Sequence, residues 1–185
     1  MRWMSSLVMA TVVLNLAFGP SGQNQKAGKT LYFLKDELSQ QWCGYSSETE
    51  FKAQVQERSA YVVGGADYAD GHIVAVRFTQ ADDTGDWTVN DEYTLNTYGN
   101  ITSLKRMIHI VSDDSSEEQR FIIKNGKVVP KSSVLRKLHL GSASQKSVSG
   151  FDAPRVITTT TDFPFWELMG SKGDAVWSKG SVCVP

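Results

Sequence analysis

The feature that most constrains the fold is a series of short β-prone runs, separated by turn residues, across Ala60–Val129. In His72–Gln80 and Trp87–Asn96, apolar and polar residues alternate, which is the period of a strand with one buried face. The acidic turn Asp82–Asp86 separates the two runs. This pattern predicts an antiparallel β meander. Four side chains of the second run share its predicted buried face: Trp87, Val89, Tyr93 and Leu95.

Two further turns support the meander. Asn96–Asn100 precedes another β-prone run, Ile101–Val111. Asn125-Gly126 is the dipeptide most typical of a two-residue hairpin, because both central residues of that turn need positive φ. We therefore expect Glu118–Lys124 and Lys127–Val129 to be hairpin partners.

A helix is predicted over about Glu48–Ser59. Ser47 and Glu50 form the S-x-x-E pattern of a capping box, in which each side chain binds the other residue's backbone N–H. Phe51 and Val55 lie on one face of this helix. The capped N-terminal helix and the meander together predict an α+β fold.

Four other segments have weaker patterns. Thr30–Cys43 is interpreted as a strand leading into a short helix, and Ser133–Leu140 has apolar residues at helix-like spacing. Gly141–Gly150 is rich in serine and glycine, which favours an exposed loop. Arg155–Asp162 is β-prone through its valine, isoleucine and consecutive threonines.

The start of the chain is typical of a secretory signal peptide. Arg2 precedes the apolar run Leu7–Phe18, which is too short to cross a bilayer as a helix and leads into small residues. Cleavage after Ser21 divides the chain into a signal peptide, 1–21, and a mature part, 22–185. The mature protein is therefore expected to be secreted or periplasmic.

The size of the mature part fits a single secreted domain. About 160 residues, with 41% hydrophobic residues in the chain, are enough to bury a core. Acidic and basic residues nearly balance, so the overall charge does not indicate a nucleic-acid partner. No second apolar stretch reaches membrane-spanning length, so no transmembrane segment is expected after processing.

Cys43 and Cys183 are the two cysteines of the chain. In an exported protein they are expected to form a disulfide, which would tie the two ends of the mature part together. The alternative is a pair of free thiols, one of them nucleophilic. Neither cysteine belongs to a C-x-x-C or zinc-ligand pattern, which favours the disulfide.

Charge is segregated along the chain. Asp67–Glu92 contains seven acidic residues and one basic residue, whereas Arg120–Lys146 contains seven basic residues and no acidic one. The basic segment predicts either a solvated sheet edge, paired in part with the acidic segment, or a face that binds an anionic partner. The residues assigned to such a face are Lys124, Lys127, Lys131, Arg136 and Lys137.

No motif for catalysis, metal binding or a cofactor is present. The histidines His72, His109 and His139 lack metal-ligand spacing, and Asp82–Asp86 fits a turn better than a calcium loop. His109 precedes Asp113 and Asp114, which leaves a hydrolytic site with a distant serine as an alternative, although no G-x-S-x-G elbow exists.

The aromatic residues near the cysteines also have two interpretations. Trp42, Tyr45, Trp166 and Trp177 are expected to belong to the core, or in part to form a ligand or carbohydrate platform. The preferred hypothesis is a secreted or periplasmic non-enzymatic binding protein without a cofactor, whose partner is an anionic envelope component or another exported protein. The alternative is a small exported hydrolase that uses His109.

Overall fold

The computed structural model describes residues 28–137, 143–144 and 152–184. These described residues are mostly in β-strands and include three α-helices. The strands are β1 (Lys29–Lys35), β2 (Trp42–Tyr45), β3 (Val62–Ala69), β4 (His72–Ala81), β5 (Trp87–Leu95), β6 (Ile101–Ile110), β7 (Ser115–Lys124), β8 (Lys127–Lys137), β9 (Ala143–Ser144) and β10 (Ser181–Val184). The helices are α1 (Glu48–Arg58), α2 (Trp166–Met169) and α3 (Gly173–Lys179), and a 3-10 turn covers Thr160–Asp162.

All ten strands form one antiparallel sheet in the order β10-β2-β1-β3-β4-β5-β6-β7-β8-β9. From β3 to β9 each strand pairs with the next one along the chain, so the predicted antiparallel sheet is confirmed. The hairpin between β7 and β8 turns at Asn125-Gly126, where both residues have positive φ (52° and 71°). This is the backbone conformation that the dipeptide predicted.

The C-terminal strand β10 lies at one end of the sheet, beside β2. Cys183 is the register partner of Cys43, and the two form the predicted disulfide across 140 positions of sequence. In the chain-entropy model a closed loop of this length stabilises the folded state by about 4–5 kcal/mol, less any strain in the native state.

The inner face of the sheet is defined here as the face on which the C-terminal segment, 152–180, packs. Phe163, Phe165 and Leu168 of this segment are buried against the sheet. The Phe165 ring stacks on Phe33, with 4.6 Å between ring centroids, and lies over Gly64. A Cβ atom on Gly64 would come within 2.6 Å of that ring, so this position needs glycine.

The outer face carries α1. Ser47 caps the helix as predicted, because its hydroxyl accepts a hydrogen bond from the Glu50 N–H. Phe51 is fully buried and stacks on Tyr32 of β1, while Val55 packs at the margin of the same cluster. The predicted inner face of this helix is therefore confirmed.

The predicted buried face of β5 is confirmed for Val89, Tyr93 and Leu95, whereas Trp87 is half-buried. Asp91 lies on the same face and is also buried.

The predicted helix over Ser133–Leu140 is wrong where the structure describes it, because Ser133–Lys137 is the end of β8. Val134 and Leu135 lie on opposite faces of that strand, and Leu135 is buried opposite Glu117 of β7. The ladder with β7 supplies the backbone hydrogen bonds that a helix would have made internally, and this tertiary context overrides a weak local preference.

The short helix expected at the end of Thr30–Cys43 is also wrong. The Asp36 carboxylate accepts hydrogen bonds from the N–H groups of Leu38 and Ser39, so the chain turns there and β1 and β2 form a hairpin. The β-prone segment Arg155–Asp162 forms no strand; it runs across the inner face and ends in the 3-10 turn.

Two predictions fall wholly or largely outside the described residues. The signal peptide, 1–21, is one of them, and the Gly141–Gly150 loop is the other, apart from the two residues of β9. Within residues 28–137, 143–144 and 152–184, no helix has both the length and the apolar character needed to cross a membrane.

Candidate functional site

An open cleft lies at one end of the sheet, between two hairpin turns and the two C-terminal helices. Its volume is about 740 Å³. The β3–β4 turn and the β5–β6 turn form one side, and α2 and α3 form the other. The side chains that give the cleft its character are Tyr68, Asp70, Tyr98, Trp166, Asp174 and Trp177.

The deep wall of the cleft is aromatic and firmly held. The rings of Tyr68 and Trp177 meet edge to face, with centroids 5.8 Å apart. The Tyr68 hydroxyl donates a hydrogen bond to the Met169 carbonyl, which links β3 to the end of α2. Burial and the nearby Asp174 carboxylate raise the pKa of Tyr68, so its hydroxyl keeps the proton that this bond uses.

The outer rim is formed by turns that need glycine. Gly71 and Gly99 both have left-handed backbone conformations, with φ of 80° and 77°. The Asn96 side chain accepts hydrogen bonds from the N–H groups of Tyr98 and Asn100 and thereby orders the second turn. Tyr98 is 87% exposed on this ordered turn, so a large aromatic side chain stands at the mouth of the cleft without a core to pack on.

The charges in the cleft are a lysine and two aspartates. The Lys29 ammonium lies over the Trp177 ring, with Nζ 5.4 Å from the ring centroid, which is within the range of a cation–π interaction. Asp70 and Asp174 are both exposed. In the part of the chain that the structure describes, neither carboxylate forms a salt bridge.

A buried ion pair holds the C-terminal segment on the inner face. Asp91 of β5 and Arg106 of β6 are register partners, and two nitrogens of the guanidinium each lie 2.7 Å from a carboxylate oxygen. The third nitrogen, Nη1, donates to the Pro154 carbonyl at 2.7 Å. The Tyr93 hydroxyl donates to Asp91 and accepts from the Ile157 N–H. This network anchors the part of the segment that leads to Trp166.

Sequence reasoning missed this network, although a signal was present. Asp91 lies in the alternating series between Val89 and Tyr93, and Arg106 lies in the series between Leu104 and Ile108. One acid and one base, each at a position reserved for apolar residues on neighbouring strands, indicate a buried pair.

The predicted basic residues lie on and beside one hairpin. Lys124, Lys127, Lys131 and Arg136 are exposed on β7 and β8, whereas Lys137 binds the Asp113 carboxylate at 2.9 Å. Among the residues that the structure describes, no salt bridge joins these bases to the acidic turn at Asp82–Asp86. The anionic partner of this surface remains a prediction.

The structure does not bring the histidines together. His109 lies on the outer face of β6, since its neighbour Ile108 is buried on the inner face. Burial lowers the pKa of His109, and no nearby carboxylate opposes that shift, while Asp113 binds Lys137 instead. His72 lines the cleft, and His139 is outside the described residues. No group of three metal-ligating side chains occurs within the described ranges.

The four aromatic residues near the cysteines divide between the two interpretations. Trp42 and Tyr45 are buried in the core. Trp166 and Trp177 are half-buried and line the cleft.

Comparisons with protein-family models, with curated proteins and with solved structures found no match to this chain, so the cleft itself carries the functional argument.

Proposed function

We propose that this chain is a single exported α+β domain, secreted or periplasmic, that works as a non-enzymatic binding protein with the cleft as its ligand site. The observation that carries the proposal is an open cavity of about 740 Å³ with Tyr68, Trp166 and Trp177 in its walls. Binding sites for small molecules are concave, largely apolar, and contain a few polar groups that fix orientation.

The chemistry of the lining favours binding over catalysis. A nucleophile and its base need to lie within hydrogen-bonding distance of each other. Among the described residues, no hydrogen bond joins His72 to Asp70 or Asp174, which are the two carboxylates of the cleft lining. His109, the residue of the alternative hydrolase, lies on β6 outside the cleft lining.

Export is supported by the disulfide, which persists in oxidising compartments, and by the character of the first 21 residues. The disulfide joins β2 to β10, the strand that directly follows α3, and thereby helps to hold this wall of the cleft in place. Preorganisation of this kind reduces the entropy lost on binding.

A fluorescence titration tests the cleft. The probe is N-phenyl-1-naphthylamine, a neutral aromatic dye that brightens when its rings leave water. We expect dye binding to the purified protein, weakened about tenfold or more in Trp177→Leu, because the variant removes an aromatic wall.

The matched control is Trp87→Leu, since Trp87 is also half-buried but lies outside the cleft lining. It should bind the dye as the unaltered protein does. Equal binding by both variants, or equal loss in both, would contradict the assignment of the cleft as the ligand site.

A second candidate function is favoured by the hairpin of β7 and β8. Lys124, Lys127 and Lys131 are exposed, and within the described part of the chain no salt bridge neutralises them. We propose that this hairpin binds an anionic component of the cell envelope or an acidic surface of another exported protein. Such binding weakens as salt is added.

A further inference from the structure

The face of Trp177 already holds a cation. Lys29 Nζ lies 5.4 Å from the ring centroid, although Lys29 is the exposed first residue of β1 and its side chain is free to extend into water. The attraction comes from the electron-rich ring face and is strongest for tryptophan among the aromatic residues. The Tyr68 ring supports Trp177 from the edge, so the position of this face is set by packing.

The fixed charges of the cleft also favour a cation. Asp70 and Asp174 line the same cleft as Lys29, so carboxylates outnumber ammonium groups in the lining. An anionic ligand would be repelled by the two carboxylates, whereas a neutral ligand could gain hydrogen bonds from them but no charge attraction. A cation gains from the carboxylates and from the ring face at once.

We infer that the cleft takes an organic cation, an amine or a quaternary ammonium compound, and that Lys29 competes with it for the Trp177 ring. This inference rests on the proposed function, because it names the ligand class of the same site. Lys29 thereby sets a lower limit on the affinity that a ligand needs for the Trp177 ring. The ligand must displace an ammonium group that is tethered beside the ring.

The test compares choline with 3,3-dimethylbutan-1-ol, its neutral carbon analogue of the same shape, by isothermal titration calorimetry at constant ionic strength. Choline should bind more tightly than the alcohol. Lys29→Ala should bind choline about two- to fivefold more tightly, because the ring face is vacated. Asp174→Asn, an exposed and nearly isosteric change, should weaken choline binding and leave binding of the alcohol unchanged.

Lys52→Ala is the matched control, because it removes the same charge from the exposed side of α1, outside the cleft lining. It should leave choline binding unchanged. Equal affinity for choline and the alcohol, or weaker choline binding in Lys29→Ala, overturns the cation assignment. If the naphthylamine dye still depends on Trp177 in that case, the proposed function stands and only the ligand class is wrong. If the dye shows no such dependence, both are wrong.

Discussion

The part of the sheet from β1 to β6 and the hairpin of β7 and β8 use the same antiparallel pairing but differ in how they are covered. In β5, Val89, Asp91 and Tyr93 are buried beneath the C-terminal segment. In β8, every residue of Lys127–Ser133 is exposed. Backbone pairing and burial are therefore separate properties of a strand. Pairing follows from local alternation and turns, whereas burial of the inner face depends on the C-terminal segment.

The exposed strand carries features that discourage pairing with another chain. Pro130 has no N–H to offer, and the ladder shifts register between Arg120 and Phe121, opposite the step at Lys131. Within the described residues, β9 pairs only with Leu135 and Arg136 of β8. Proline, a bulge and lysines are the means by which natural sheets protect a free edge.

The largest difference in stability is expected when the same negative charge is placed in β5 and in β8. Val89→Asp puts an unpaired carboxylate at a position that is 0% exposed, so the free energy of unfolding should fall by about 4 kcal/mol or more. Val129→Asp, at a position that is 41% exposed, should change it by about 0.5 kcal/mol or less. Urea unfolding measures both, and similar losses would mean that β8 is buried as β5 is.

The second test compares one ion pair from each region. Arg106→Ala leaves Asp91 buried without its partner and should cost about 3–5 kcal/mol. Arg120→Ala removes a pair with Glu118 in which the arginine side chain is 61% exposed, and should cost about 1 kcal/mol or less.

A double variant, Asp91→Leu with Arg106→Met, distinguishes two effects of Arg106→Ala. One is the uncompensated carboxylate of Asp91, and the other is the loss of hydrogen bonds to the C-terminal segment. It should be more stable than Arg106→Ala alone, because no uncompensated charge remains. If the double variant is the less stable of the two, the network contributes mainly through its hydrogen bonds to the C-terminal segment.

The smallest effect on stability is expected in the hairpin itself. Changing Lys124, Lys127 and Lys131 to serine should cost about 0.5 kcal/mol or less for each residue, since all three are exposed. The same variant should lose retention on a phosphocellulose column, where the unaltered protein should elute between about 50 and 200 mM salt.

Serine at Lys35, Lys52 and Lys179 is the control for that experiment, because these lysines lie outside the hairpin and the total charge changes equally. Retention that both triple variants lose to the same extent would indicate a response to net charge alone, and no hairpin-specific anionic partner.

Local patterns predicted much of the fold. The alternation of Val89, Tyr93 and Leu95, the turn at Asn125-Gly126 and the cap at Ser47 each act over a few residues, and each is confirmed. The helix predicted over Ser133–Leu140 rested on the helix-like spacing of its apolar residues. The end of β8 is a strand because it pairs with β7, and that information lies in another part of the sequence.

The cleft was less accessible to prediction. The platform hypothesis covered Trp42, Tyr45, Trp166 and Trp177 without separating those in the cleft from those in the core. Tyr68 and Tyr98 join Trp166 and Trp177 only through the order of the strands and the return of the C-terminal segment. Asp70 and Asp174 are more than a hundred residues apart but line one cavity, and no local pattern in the sequence predicts this. Convergence of this kind depends on topology.

The bond between Cys43 and Cys183 also determines how the molecule carries a mechanical load. The two cysteines are 140 positions apart in sequence but lie in neighbouring strands. Tension applied at the two ends of the chain therefore passes through the sulfur atoms, and the segment between them stays slack. The stretches outside the two cysteines, which include β1 and Val184 of β10, can still be pulled away from the sheet. Formation of the disulfide thus leaves most of the strands under no tension when the two ends of the chain are pulled apart.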